Sequence, residues 1–400
     1  MKQYNIFLDS AQINCRSNNI ILNKLYKYFE KNGHSITKKV SDADFFIINT
    51  CGYDKIREKR SLKLIKKYNK KGKVISLGCL NKINQKALEN IGFRIHIITD
   101  LDELDPIFCS NIMISDIKDA YLDAQINNYF QVGKNFPLIK CSASVFSLFF
   151  KRSELFNKMY NEMFRKNKSC VEISKGCTGN CSYCTIKKAR GDVISRQKDD
   201  IIKDIRKFYN PKNSLTLVAD DCASYGVDIG TNLPSLIKEI DNEFPNTRYD
   251  ICYINPIFLV KQKQEYIDMF RNHNINGANI SMQSGSNSII KRMNRHYDVK
   301  QVIQTIKEIR NISPRTFFWT HVIVGFPGET FKDYLKTLSM LNNFDVAMIY
   351  AYSDREGTKS SGFKNKNSFL NIHLKFILAM FYTRSRALLK IIIESLRKGK

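Results

Sequence analysis

The chain has 400 residues, enough for two or three domains with cores of their own. Its 43% hydrophobic and 12% aromatic residues, with only 8 prolines and 18 glycines, exclude disordered, collagen-like and low-complexity classes. A formal charge of +26, from 64 Lys+Arg against 38 Asp+Glu, points to a polyanionic partner such as nucleic acid, with compositional drift toward Lys and Asn as the bland alternative.

Toward the amino terminus, apolar runs at 4–9, 43–49, 73–78 and 94–98 predict strands, separated by helices over 17–32, 53–70 and 83–90. Continuous apolar strands alternating with helices predict a doubly wound parallel-sheet α/β domain. Residues 100–105 are acidic, 137–150 apolar and 151–168 a basic helix, so 106–165 is expected to be a connector. Strands then recur at 170–174, 215–219, 248–254, 278–282, 316–324 and 345–350, again with helices between them. That alternation predicts a partial (β/α)6 barrel. The chain closes with a helix over 369–394, interrupted by His373, Lys375, Arg384, Arg386 and Lys390, and a basic end. That helix is amphipathic, no uninterrupted apolar run reaches membrane-spanning length, and MKQYNIFLDS lacks the apolar stretch of a signal peptide. A cytoplasmic, reducing location without membrane contact is expected.

The 11 cysteines are odd in number and mostly far apart, which argues against a disulfide framework. Cys51 and Cys79 each follow a predicted strand and Cys15 lies just beyond the first, so the sheet's carboxyl edge brings them toward one place. After the first barrel strand comes Ser174-Lys175-Gly176-Cys177-Thr178-Gly179-Asn180-Cys181-Ser182-Tyr183-Cys184, a C-x3-C-x2-C pattern. Three thiolates on a four-iron cubane leave one iron open, unlike the four-cysteine ligation of electron carriers. Structural zinc is the alternative, but it wants four ligands in paired spacings, and no fourth ligand follows closely.

At these residues the chain resembles the radical S-adenosylmethionine (SAM) superfamily. Further tracts are similar to its methylthiotransferases: Ala189-Arg190-Gly191 with Ile194-Ser195-Arg196, Asn255-Pro256, Gln283-Ser284-Gly285-Ser286-Asn287, Met293 with Arg295, Gly325-Phe326-Pro327-Gly328-Glu329-Thr330, and Tyr352-Ser353-Asp354-Arg355-Glu356-Gly357-Thr358. The resemblance implies that Cys177, Cys181 and Cys184 hold a 4Fe-4S cluster that binds SAM. It places Tyr183 near the adenine and Gln283, Ser284, Gly285 and Ser286 against SAM. It makes Arg190, Arg196 and Arg295 candidates for the SAM carboxylate or for substrate phosphates. Reduction would cleave SAM to a 5′-deoxyadenosyl radical, and a second SAM would methylate sulfur held at an auxiliary 4Fe-4S cluster.

Asn49-Thr50-Cys51 and Leu77-Gly78-Cys79 match two of that auxiliary cluster's three cysteines. The third position aligns with Ala11, and Cys15 lies four residues later. Either Cys15 takes over through a shifted loop, or only two thiolates serve. Cys109, Cys141, Cys170, Cys222 and Cys252 show no ligand pattern; Cys170 and Cys252 are expected to fill cores. Cys222, beside Asp220 and Asp221, is either another filler or close to the SAM site.

The cysteine loop most resembles the branch acting on threonylcarbamoyladenosine in tRNA. The charge agrees with RNA, as does the run from Lys55 to Lys73, which has ten Lys/Arg and one acid, Glu58. On a helix these cations are expected to wrap around rather than form one stripe. The family's small RNA-binding β-barrel has no counterpart in the final residues, where tail cations would have to substitute. A methylthiotransferase acting on a protein side chain or small molecule is therefore one alternative, and a non-catalytic iron–sulfur RNA-binding protein another. The expected division is 1–105 for the auxiliary-cluster domain, 106–165 for the connector, 166–362 for the barrel and 363–400 for the helix. A reductant such as flavodoxin or ferredoxin is the implied partner beside tRNA.

Overall fold

Alternate residues of a strand face opposite ways, and between Phe45 and Thr50 both faces are apolar. Ile47 packs with Ile6, Leu25 and Phe29, whereas Phe46 and Ile48 pack with Ile65, Tyr68 and Leu80. The strand is covered on both sides, which is why its sequence shows no polar alternation. The computed structural model describes residues 2–12, 15–92, 95–122 and 169–398. The expected apolar and basic connector segments, Cys141, Ile13, Asn14 and the last two residues lie outside the described residues.

The first sheet contains β1 (Asn5–Ser10), β2 (Ser35–Ile36), β3 (Phe45–Thr50), β4 (Lys73–Gly78) and β5 (Ile95–Ile97). Its order is β2-β1-β3-β4-β5, and every pairing is parallel. Helices α1 (Arg16–Lys31) and α2 (Lys55–Asn69) form the crossovers. The helix expected over 83–90 is two short ones, α3 (Cys79–Ile83) and α4 (Gln85–Glu89). Asn84 breaks it with φ −148°, and its side chain caps α4 by accepting from the Ala87 amide. A further short helix, α5 (Leu104–Phe108), adds Leu104 and Phe108 to the core on the α1 side.

The cations of α2 spread around its outer side, as expected, with Arg60 and Lys67 exposed beyond a denser lysine row. At ~100° per residue, Lys55, Lys59, Lys63, Lys66 and Lys70 fall within a sector of roughly 80°, and all are exposed. The buried positions Ser61, Ile65 and Tyr68 occupy the opposite side. Glu58 is turned inward and paired with Arg355.

The second sheet contains β6 (Tyr121–Leu122), β7 (Ser169–Glu172), β10 (Leu215–Val218), β11 (Arg248–Ile254), β12 (Asn274–Ile280), β13 (Phe317–Val324) and β14 (Val346–Ala351). Its order is β14-β13-β12-β11-β10-β7-β6, parallel throughout except for the edge strand β6. The small pair β8 (Ser174–Lys175) and β9 (Ile194–Ser195) closes the base of the cysteine loop. Strand β12 starts four residues before the predicted position, because Asn276 and Gly277 obscure it. Asn276 is needed for a hydrogen bond to Asp250 at 2.8 Å, and a Cβ on Gly277 would lie 3.0 Å from the Trp319 ring.

The intervening helices are α6 (Ile186–Arg190), α7 (Lys198–Phe208), α8 (Leu233–Glu243), α9 (Pro256–Lys261), α10 (Lys263–Asn272), α11 (Asn287–Arg292), α12 (Val299–Ile312) and α13 (Phe331–Met340). Helix α14 (Phe369–Lys398) packs on the edge of the sheet and runs beyond its predicted end. Its buried Lys375 donates to the Glu329 carboxylate and carbonyl, both at 3.0 Å, locking the helix to the Gly325–Thr330 tract. Among the described residues no helix is long and apolar enough to cross a membrane. The architecture is thus a doubly wound parallel-sheet domain followed by a partial barrel, the α/β class expected.

Candidate functional site

Strand β7 leads directly into the cysteine loop, which β8 and β9 pinch at its base. Gly176 has φ +73°, and a Cβ there would lie 1.9 Å from the Asp192 carbonyl oxygen, so no other residue fits the turn. Its amide donates to Asp220 Oδ2 at 2.9 Å. The Cys177 and Cys181 thiols flank Gly179, 3.2 and 3.8 Å from where its Cβ would stand. Burial pushes the Cys177 thiol up to about 12, with Asp221 and the other two thiols adding to the shift, and Cys184 up to about 11. Neutral thiols are favoured at these positions until a positively charged group binds.

Arg295 organises this set. Its Nη1 donates to Cys181 Sγ and to the Tyr183 hydroxyl, both at 3.4 Å. Its Nη2 donates to Asn255 Oδ1 at 2.9 Å and to the Ser281 carbonyl at 3.0 Å. Only Nε is buried without a hydrogen bond.

A second thiol set forms at the carboxyl edge of the first sheet. Cys51 follows β3, Cys79 opens α3 after β4, and Cys15 is the N-cap residue of α1. Burial pushes Cys51 up to about 12, and the neighbouring Cys15 and Cys79 thiols push it further. Burial likewise raises Cys15, with Cys79 contributing. Ala11 is fully buried and its amide donates to the Asn49 carbonyl at 2.9 Å. The thiol nearest this edge from the first crossover is therefore that of Cys15. Arg190 bridges the two sets. Its charge acts on the Cys79 thiol and it lies 3.9 Å from Asp220, which holds the Gly176 amide. Burial disfavours its charge, but Cys79, Asp220 and Cys15 more than offset that.

Beside Cys184 lies an open cleft bounded by Tyr53, Tyr183, Ile323, Tyr350 and Arg355, among others. Tyr53 meets Tyr350 edge-on at 5.8 Å; Tyr350 meets His321 at 5.4 Å, and His321 meets Tyr253 at 5.5 Å. These rings were not singled out in the sequence, where each stands alone in a different segment.

The Gln283–Asn287 tract continues from β12. Gln283 adopts φ +65°, donates to the His321 carbonyl at 2.8 Å and accepts from the Ile323 amide at 2.9 Å. The Ser284 hydroxyl bonds Thr337, and Ser286 donates to Asp333 Oδ1 at 2.6 Å. Both serines are fully buried, so they shape the loop from behind. Arg196 is also committed within the fold, to Asp204 at 2.7 Å and to the Glu172 carbonyl at 2.8 Å. Cys222 is buried and donates to the Cys252 carbonyl at 2.8 Å, the role of a core filler. Cys170 and Cys252 are buried in strands, and Cys109 is exposed.

Among the described residues, no three His, Cys, Asp or Glu side chains close around a point that would grip a single ion. Zinc, at ~2.3 Å from each sulfur, needs that closure. Two sets whose donors are all sulfur match the cysteine ligation of iron–sulfur clusters.

Comparison with known proteins agrees with this geometry. Residues 171–341 match the radical SAM superfamily, and residues 10–100 match the uncharacterized protein family UPF0004. A probable threonylcarbamoyladenosine tRNA methylthiotransferase of Methanocaldococcus jannaschii is 29% identical over 88% of this chain and 76% of its own length. The ribosomal protein uS12 methylthiotransferase RimO of Thermosipho melanesiensis is 30% identical over 88% of this chain and 77% of its own length. The threonylcarbamoyladenosine tRNA methylthiotransferase MtaB of Thermotoga maritima is 26% identical over 87% and 75%. Among solved structures, the radical SAM methyltransferase TsrM of Kitasatospora setae superposes with a TM-score of 0.57 at 11% identity, over 87% of this chain and 75% of that one, which is a likeness of fold. Taken with the two thiol sets, these similarities establish that the chain is an enzyme of the radical SAM methylthiotransferase family.

Proposed function

We propose that this enzyme inserts a methylthio group at a C–H bond of a tRNA adenosine, N6-threonylcarbamoyladenosine beside the anticodon. The observation that carries this reading is that the loops bearing the two thiol sets, Cys177/Cys181/Cys184 and Cys15/Cys51/Cys79, touch: Thr185, next to Cys184, donates to the carbonyl of Gly52, next to Cys51, at 3.3 Å. The first would hold the SAM-binding 4Fe-4S cluster and the second an auxiliary 4Fe-4S cluster. Reduced and loaded with SAM, such a pair supplies one-electron SAM cleavage on one side and methylated sulfur on the other.

The chain's own residues do the rest. Arg295 orients Cys181 and Tyr183 together, so ligation and adenine placement share one support. The Gln283-to-Ser286 backbone faces SAM while Thr337 and Asp333 hold its serines behind. Burial raises the Cys79 thiol, and Arg190's positive charge offsets part of that. Arg196 acts at one remove, fixing the end of β7 before the cysteine loop. The ring-lined wall limits water beside the reacting C–H bond. The parts correspond to an auxiliary-cluster domain over 1–105, a connector over 106–165, the barrel over 166–362 and the closing helix over 363–400.

The tRNA target rests on the threonylcarbamoyladenosine-modifying relatives and on the +26 charge. The similarity to RimO favours a second reading, a ribosomal-protein side chain as acceptor. Mass spectrometry of tRNA nucleosides with and without the gene separates the two. A methylthioadenosine derivative that disappears with the gene supports tRNA; unchanged nucleosides exclude it. A reductant such as flavodoxin or ferredoxin would supply the electron in the cytoplasm.

A further inference from the structure

We infer that the lysine stripe of α2 and the Tyr53–Tyr350 ring pair form one continuous surface for an unpaired RNA strand. The lysines would track its phosphates while the rings take one of its bases into the cleft. The inference rests on the RNA reading above and adds where the strand lies.

Two independent features meet at the start of α2. The first is electrostatic. Lys55, Lys59, Lys63, Lys66 and Lys70 share one exposed sector, and none has an ion pair among the described residues. At 1.5 Å per residue the stripe is ~22 Å long, with steps of ~5–6 Å. The run's one acid, Glu58, lies on the inner side, engaged by Arg355 and by Asn84 at 2.8 Å. Arg57 is likewise withdrawn, against Asp54 and the Tyr53 ring. Cations with acids removed from their face are what a polyanion backbone requires.

The second feature is aromatic. Asp54, the N-cap of α2, lines the cleft together with Tyr53, so the stripe begins where the rings begin. Tyr53 keeps 42% of its surface open while lining the cleft, so its free face is turned to a concavity. Tyr253, at the far end of the ring series, is 41% exposed, and Tyr53 shares the cleft lining with Cys184. A planar base held against Tyr53 would therefore lie beside Cys184. A cationic track leading to stacking rings is the general design for single-stranded nucleic acid. A duplex would keep its bases paired and leave the rings empty.

The test uses the full chain, a fluorescein-labelled RNA stem–loop with an unpaired loop, and the same strand annealed to its complement. Fluorescence anisotropy should show tighter binding to the stem–loop than to the duplex. The double variant Lys59→Glu, Lys63→Glu should weaken stem–loop binding at least tenfold at low salt and lower the log–log salt slope by about 1–2. Tyr53→Ala should weaken it roughly tenfold with the slope unchanged, and Tyr53→Phe should restore it. Circular dichroism melts confirm that each variant folds. If the wild type binds and modifies the stem–loop while all variants bind as it does, the surface is elsewhere and this inference falls, with the RNA reading intact. If the wild type neither binds nor modifies it, both fall together.

Discussion

Arg355 Nη2 donates to the Gly52 carbonyl at 3.0 Å, one residue beyond Cys51, while the same guanidinium pairs with Glu58. A residue following the last barrel strand thereby fixes the loop that carries an auxiliary thiol. Thr185, adjoining Cys184, bonds the same carbonyl at 3.3 Å. The two thiol sets are tied through one peptide group.

Removing Arg355 leaves Glu58 without its ionic partner in a mostly buried setting. Arg355→Ala should destabilise the chain by about 3 kcal/mol, seen as a fall of several degrees in melting temperature. An unchanged melting temperature would show that the contact does not join the domains.

The Gln283–Ser286 loop has no room behind it. A Cβ on Gly285 would lie 2.4 Å from the Lys336 carbonyl oxygen. Gly285→Ala should displace the loop from Lys336 and weaken SAM binding at least tenfold, by equilibrium dialysis, at roughly 1–3 kcal/mol of strain. Iron content should stay at the wild-type level.

Asp333 ties the same loop to α13. Burial opposes its charge, but hydrogen bonds from Ser286, Thr330 and Ser288 outweigh burial and lower it from 3.8 to about 2. A carboxyl depressed in the folded state contributes stability that is full above the unfolded value and is lost as pH falls through the folded one. The wild type should therefore lose stability between pH 3.8 and about 2. Asp333→Asn should be less stable at neutral pH and lack that component of the acid loss.

His321 responds in a different window. Burial lowers it from 6.5 to about 4, so the folded state holds it neutral. The unfolded chain takes up a proton that the folded one refuses, so stability from this group is full above 6.5 and falls toward about 4. His321→Asn should flatten the melting-temperature profile across that interval; an identical profile would contradict it.

The sequence revealed the strands, the C-x3-C-x2-C loop and the positions after β3 and β4, because each is set by local spacing and by the end of an apolar run. It also located Cys15 near that edge. It left open whether Cys15 replaces Ala11, since a four-residue displacement says nothing of where α1 begins, and Cys15 proves to be its N-cap residue. The roles of Arg190, Arg196 and Arg295 were equally illegible: three arginines in similar tracts reach three different settings. The ring series Tyr53, Tyr350, His321 and Tyr253 escaped notice because its members come from four segments brought together only by the two sheets. The spread of cations around α2 was legible, but the denser row from Lys55 to Lys70 on the side away from Ser61, Ile65 and Tyr68 was not singled out.

The central claim is that two thiol sets serve one reaction with separate tasks. The most direct measurement incubates anaerobically reconstituted protein with SAM, a reductant and tRNA, and quantifies 5′-deoxyadenosine and methylthio-nucleoside together by mass spectrometry. The wild type, with about eight irons per chain, should give both products. Cys181→Ala should give neither, and Cys51→Ala should release 5′-deoxyadenosine without transferring sulfur. Full methylthio product from Cys51→Ala, or no 5′-deoxyadenosine from the wild type, would contradict the account.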